Sequence, residues 1–434
     1  MLKNVKFFIV LVLLGCVIFS GSCRKPTGKD KDSVSKLTYW PSSNPWEIKL
    51  AKVIVDEWNK SHPNIQVIMQ PLPASQSSEE VLLAAVAAKT TPDVCSNIWP
   101  GTVEQFMEAG ALVQLDKFQD SKKVLEKRCP QDLIDGFRSS DGHLYQVPWK
   151  GNPIMLEYNV NFLKEAGIEH PPKTYAEFWE AASKLTKDTN GDGQIDRWAC
   201  LIDINVAWWH RFFDFYTLYI AASGGQTLVK DGKIIFNNKH AVEVFRFLQQ
   251  GFQKGYFPKA EFQGNAFLQE LVVMRFTGPW DIAHLEKYKH EGFEYGFAPV
   301  PVPSDTITPV ITYGDPKNIV IFSTTKYPQE AWEFVKFLIT VENDKRLLEI
   351  CSQIPLRKDL DSDPRFKDYF AKNPRMVVFA KQASYIRGVD SVVELKEMFD
   401  IISQEFDISV IHGRKTPEKA IKDATRRCEQ ILNW

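Results

Sequence analysis

The stretch 36–69, KLTYWPSSNPWEIKLAKVIVDEWNKSHPNIQVIM, reads as strand, loop, helix, stop and strand. Between Glu47 and Asn59 the apolar residues Leu50, Ile54 and Trp58 recur at every fourth position with Ala51 and Val55 beside them, which is the period of one helix face. SHPN ends that run, and Ile65, Val67 and Met69 then alternate as a strand does. A second helical run, SSEEVLLAAVAAK (77–89), leads to a third strand candidate, TPDVCSNIW (91–99). Strands alternating with helices imply an open α/β sheet. Ligands of such sheets sit beyond the carboxyl ends of the strands, here the loop after KLTYW and the residues around Trp99. Further helical stripes follow at 175–187, 332–340 and 392–406, and Trp58, Trp179 and Trp332 lie on stripes of this kind and are expected in the core.

A chain of 434 residues exceeds one ordinary core, so two domains are expected. With 53 basic against 54 acidic residues there is no electrostatic footprint for nucleic acid. The N-terminus reads as an address. Residues 1–22 form a signal peptide in outline: Lys3 and Lys6, an apolar run from Phe7 to Phe19 too short to span a membrane comfortably, then Ser20, Gly21 and Ser22 before Cys23. A cysteine after small residues resembles a bacterial lipobox with Cys23 as the lipidated residue, although Ser20 stands where Leu is usual and LLGC (13–16) is a rival site. Residues 23–35 are polar and aperiodic, which suits a tether. The remaining cysteines, Cys95, Cys129, Cys200, Cys351 and Cys428, are odd in number and widely spaced, so they are expected to be buried fillers rather than a zinc site or disulfide scaffold.

DTNGDGQID (188–196) has calcium-loop spacing. Asp188, Asn190 and Asp192 alternate, Gly193 permits a sharp bend, Gln194 offers a carbonyl, and Asp196 completes the set. The twelfth position is Ala199, which supplies no closing carboxylate. A hydrogen-bonded turn explains the same residues, and both readings stay open. A structural Ca2+ is the one metal suggested, and no cofactor is required.

By SHPNIQV, TPDV and GALVQLDKF the chain resembles the extracytoplasmic solute-binding proteins of bacterial ABC importers, in the carbohydrate-binding, maltose-binding-protein-like group. The run DGHLYQVPWKGNPIMLEYNVNFLKEAGIEHPPKTYAEFWEAASKLTKDTNGDGQIDRW strengthens this, as do MRFTGPWDI, YGFAPVP and KYPQEAWEFVKFLITVEN in family order. The resemblance covers about residues 36–434 and rests on the order of these motifs. It implies the two-lobe periplasmic-binding-protein-like (type II) α/β fold with a hinge. Lobe I would be 36–148 plus 298–345, and lobe II 149–297 plus 346–434. It also implies a monomer, lipid-anchored to the cell membrane or periplasmic, that binds a sugar and delivers it to the transmembrane subunits of an ABC permease without covalent chemistry.

A sugar needs aromatic platforms for its C–H face and planar polar groups for its hydroxyls. At positions that the resemblance assigns to the cleft stand Ser43, Trp46 and Glu47 after the first strand, Trp99, Trp149 with Lys150 at the first crossover, and Trp208 with Trp209. Trp280 and Asp281 occupy the family's G-x-W position, Tyr313 and Asp315 lie in ITYGDP, and Tyr385 and Arg387 in ASYIRG. The competing class is a secreted calcium-containing glycoside hydrolase, which needs two placed carboxylates. No nucleophile elbow, H-E-x-x-H, phosphate loop or dinucleotide fingerprint is present. A non-sugar solute, such as a polyamine or a glycerophosphodiester, is a further alternative.

Overall fold

The computed structural model describes residues 34–432 apart from 75–76, 231, 359 and 391. The leader, Cys23 and most of the tether therefore lie outside the described residues. The strands are β1 Ser35–Trp40, β2 Ile65–Met69, β3 Val94–Ile98, β4 Val147–Gly151, β5 Met155–Asn159, β6 Trp198–Leu201, β7 Val229–Lys230, β8 Lys233–Ile234, β9 Val272–Thr277, β10 Tyr295–Ala298, β11 Thr312–Tyr313, β12 Pro316–Ile321 and β13 Ile386–Arg387. One sheet has the order β2-β1-β3-β12-β4, with β1 parallel to β2 and β3, and β12 antiparallel to both its neighbours. A second has the order β10-β5-β9-β6, in which only β6 and β9 are parallel. Two short pairs, β7–β8 and β11–β13, complete the set among the described residues.

The opening motif folds as its periodicity indicates. The helix Pro45–Ser61 begins at Asn44, whose side chain accepts from the amides of Trp46 (2.9 Å) and Glu47 (3.3 Å), with Pro45 in the first turn. Its buried face is Leu50, Ala51, Ile54, Val55 and Trp58. Asn59 then grips the edge strand β2 through both the N–H (2.8 Å) and the carbonyl (3.0 Å) of Val67. Trp58 and Trp332 are fully buried in the core behind the first sheet, whereas Trp179 is only half-buried, with the Lys254 ammonium 5.1 Å from its ring. A separate aromatic-rich core, including Phe178, Phe215, Phe245 and Phe399, backs the second sheet. All five described cysteines are buried, unpaired thiols.

The lobe boundaries fall later along the chain than expected. All of β4 belongs to the first sheet, where Lys150 faces Lys317 and Gly151 faces Pro316, so the first crossing is at 152–154 rather than after 148. Val300 and Val302 stay in the second core, and the Val302 amide donates to the Lys173 carbonyl (3.0 Å), so the return crossing follows 302 rather than 298. The helix Val341–Cys351 packs on Pro45–Ser61 through Leu347, Cys351 and the Arg346–Glu57 pair, which carries the first lobe beyond 345. A short apolar run shows that a strand forms, but not which sheet it joins. Among the described residues no helix is long and apolar enough to cross a membrane.

One buried cluster ties two crossings together. Arg128 donates to the carbonyls of Pro148 (3.3 Å), Trp149 (2.9 Å) and Ile339 (3.0 Å) and to Asp344 (Nη2 to Oδ1, 3.0 Å), and Asp344 also accepts from Arg357 (2.6 Å). Arg128 thus holds the end of β4 just before the first crossing, and Arg357 lies where the chain leaves the helix Val341–Cys351.

Candidate ligand-binding groove

Between the two sheets runs a trough of three adjoining hollows. The central one, about 780 Å³, takes Ser42, Ser43, Glu47, Asn97, Lys150 and Asn152 from the first lobe and Asp203, Asp214, Arg275 and Trp280 from the second. An inner hollow of about 470 Å³ shares Ser43, Trp209, Asp315 and Lys317 with it. An outer one of about 1010 Å³ shares Asn44, Asp203, Arg275 and Trp280. Ser42, Ser43, Glu47 and Asn97 stand at the carboxyl ends of β1 and β3, where the opening motif placed a ligand, and Lys150 and Asn152 stand at the end of β4.

The inner end is aromatic. Trp99 packs against Trp208 and Phe212, each with a centroid separation of 5.3 Å, and its indole N–H donates to the Tyr313 hydroxyl (3.3 Å), which donates to Asp315 (3.2 Å). Trp209 is 42% exposed with its ring stacked on His210, so its free face is open to a ligand. Trp280 stands between the central and outer hollows, edge-on to Phe213. Glycines set both platforms. A Cβ on Gly278 would lie 2.1 Å from the Trp280 ring, and one on Gly101 would lie 2.2 Å from the Trp99 ring. Each indole therefore occupies space that any other residue at the glycine would fill.

The middle of the trough is built from closed charge pairs. Lys150 meets Glu47 (2.7 Å), and Glu47 also accepts from Gln353 (3.0 Å). Lys317 meets Glu79 (3.3 Å), and Arg275 meets both Glu157 (2.5 Å) and Asp281 (2.8 Å). Burial pushes Glu157 up to about 8 against the pull of Arg275, and Asp214 up to about 6 against that of Arg211. Burial also pushes Asp203 up, but the His210 hydrogen bond and charge prevail and hold it below the usual carboxylate range. Buried Arg211 donates to the carbonyls of Asp203 (2.8 Å) and Asn205 (3.4 Å), fixing the loop that carries Asp203 and His210.

The structure brings together Ser43, Glu47, Lys150, Trp209, Trp280 and Asp315 around the central hollow, Trp99, Trp208 and Tyr313 at the inner end, and Trp46 and Asp281 at the outer. It does not bring Trp149, Tyr385 or Arg387 there. Trp149 is buried in the first core beneath the Lys150 ammonium, which lies 4.6 Å from its ring centroid, and it is Lys150 that lines the groove. Tyr385 is exposed, and Arg387 on β13 donates to the Gly225 carbonyl (3.3 Å) on the outer side of β11. Asn97, Asn152, Asp203, Asp214, Arg275, Lys317 and Gln353 line the central hollow without having been among the residues expected there. An arginine inside the apolar run VVMRF was a readable signal for Arg275, whereas Gln353 carries none.

In the loop 188–196 the acidic oxygens serve the loop's own backbone. Asp188 accepts from Gly191 (2.6 Å) and Gly193 (2.8 Å), Asn190 from Asp192 (2.8 Å), Asp192 from Gln194 (2.8 Å), and Asp196 from Thr189 (2.8 Å). Among the described residues no three His, Cys, Asp or Glu side chains are grouped to hold a metal ion. These are Asx-type bonds within the loop, and they serve a hydrogen-bonded turn and a cation loop alike.

The fold is shared with solved structures. An uncharacterised protein of Listeria monocytogenes is 27% identical and superposes with a TM-score of 0.76 over 92% of this chain and 100% of that one. The maltose/maltodextrin-binding domain MalE of Bdellovibrio bacteriovorus, bound to maltotriose, is 21% identical with a TM-score of 0.75 over 92% and 100%. By sequence, the sn-glycerol-3-phosphate-binding periplasmic protein UgpB of Pectobacterium atrosepticum is 21% identical over 92% of each chain. A family model matches residues 53–374, and with the two-sheet architecture and the groove between the sheets it shows that the chain belongs to the bacterial extracellular solute-binding proteins.

Proposed function

We propose that this protein captures a sugar or oligosaccharide in the inter-lobe trough and delivers it to the permease of an ABC importer, with no covalent chemistry on its own chain. The observation that carries the reading is the trough itself: walls from both lobes, indole platforms on either side of the centre, and side-chain amides and carboxylates between them. A ligand touching both lobes favours their closed arrangement, because only there does it make both sets of contacts. The similarity to glycerol-phosphate-binding relatives is a weaker guide, since Lys150, Lys317 and Arg275, the lysines and arginine of the central hollow, each already face a carboxylate. A phosphate there would have to break an existing pair.

Calorimetry across mono- and oligosaccharides and sn-glycerol 3-phosphate separates these readings. Saturable binding of a sugar recovered unaltered is expected. Binding of the phosphate alone would favour the relatives' solute, and release of cleaved sugar would make the protein a hydrolase. The lipid anchor rests on the sequence around Cys23. In a bacterial host the protein should partition with membranes, and Cys23→Ala should release it, whereas continued membrane association of that variant would move the anchor to another site such as Cys16.

A further inference from the structure

His210 joins two groups that face the trough. Its ring is stacked on the Trp209 indole, 3.5 Å between centroids at 27°, and its Nδ1 meets Asp203 Oδ2 at 2.6 Å. A carboxylate only accepts, so the imidazole carries a proton on Nδ1 and donates it. The other Asp203 oxygen accepts from the Asn205 amide (2.8 Å), and buried Arg211 holds the carbonyls of the same two residues. The His210 side chain is 12% exposed and that of Asp203 45%, so the brace is covered while the carboxylate it holds is open. The other ring near Trp209, Phe213, stands edge-on at 6.5 Å and leaves the far face of the indole free.

Trp209 and Asp203 cannot serve the same sugar unit. A hydrogen bond to Nδ1 lies in the imidazole plane at the ring edge, so Asp203 is level with the imidazole. The free face of the indole is the one turned away from His210. A sugar ring lying on that face would be two contact distances, about 7 Å, from the imidazole plane. Its hydroxyls project sideways and bond at about 2.7 Å, so they fall short of the carboxylate. The hollows agree, for Trp209 lines the central and inner ones, whereas Asp203 and His210 line the central and outer ones.

We infer that Trp209 and Asp203 hold two neighbouring units of one oligosaccharide, the first stacked and the second hydrogen-bonded, with His210 as the positioning residue that sets their spacing. This rests on the sugar reading above and narrows it to ligands of two or more units. Calorimetry across mono- and oligosaccharides, with glucose, maltose and cellobiose among them, is expected to show the preferred sugar binding about tenfold or more tighter than its monosaccharide. His210→Ala should weaken that sugar about tenfold, and His210→Phe, which keeps a ring against the indole, should recover part of the loss. In a protein already carrying Trp209→Ala and Asp203→Ala, removing His210 should change affinity by less than about twofold, because a positioning residue acts through the groups it holds. If His210→Ala melts as an unfolded chain, His210→Phe and Asp203→Asn decide instead, each weakening the preferred sugar relative to the unsubstituted protein. A monosaccharide bound as tightly as its oligomers overturns the two-unit spacing. An undiminished effect of His210→Ala in the doubly substituted protein overturns the positioning role. Binding of no sugar in the panel sinks the sugar reading and this subsite with it, whereas sugar binding that every variant leaves unchanged sinks the subsite alone.

Discussion

Asp344→Ala is expected to lower the unfolding free energy by about 3–5 kcal/mol, measured by urea denaturation. Asp344 is fully buried and serves two buried guanidiniums, those of Arg128 and Arg357. Its removal leaves two like charges facing each other without water or a counter-ion, which costs far more than a surface pair is worth. Replacing all three residues by well-packed apolar ones should cost much less, because the penalty comes from the orphaned charge rather than from the loss of an attraction. The cluster also holds the Trp149 carbonyl just before the first crossing, so the variant should loosen the joint between the lobes as well as the first core. A loss below about 1 kcal/mol would mean that water reaches these groups and that they are not a buried clasp.

Trp280→Ala is expected to weaken sugar binding at least tenfold, about 1.4 kcal/mol, while the protein melts as a folded domain. The indole stands at the junction of two hollows, where a ring can stack on the apolar face of a sugar, and it is not fully buried, so truncation opens no sealed cavity. Gly278→Ala supplies an independent check that keeps the indole. The added methyl would sit 2.1 Å from the present ring position, so Trp280 must swing away and affinity should fall in the same direction. Unchanged affinity in Trp280→Ala would remove this residue from the site.

How far the site was legible depends on which residue is considered. Trp99 was readable because it ends the third strand of the opening motif, and Trp280 because it occupies the G-x-W position that the resemblance assigns to the cleft, and both line the trough. Trp149 and Lys150 looked equivalent in the sequence, yet in the fold the indole is buried in the first core with the Lys150 ammonium over its ring, and the charged residue lines the groove. Arg387 lay in an equally suggestive loop, but its strand pairs with β11 so that the arginine meets the Gly225 carbonyl on the outside. DTNGDGQID has cation-loop spacing, and in the fold Asp188 and Asp196 accept from the loop's own amides, bonds that both readings share.

The sequence by itself determined the local elements: the helix that follows Asn44, the strand Ile65–Met69, the alternation that makes an α/β sheet, and the family order of motifs from residue 36 onward. These follow from periodicity and capping, which act over a few residues. Only the tertiary structure decided which sheet each strand joins, where the three crossings fall, and that Gln353 reaches Glu47 across 306 residues of chain. The physical reason is that burial and charge pairing depend on distances in space, and a residue pattern carries no information about which remote partner completes it.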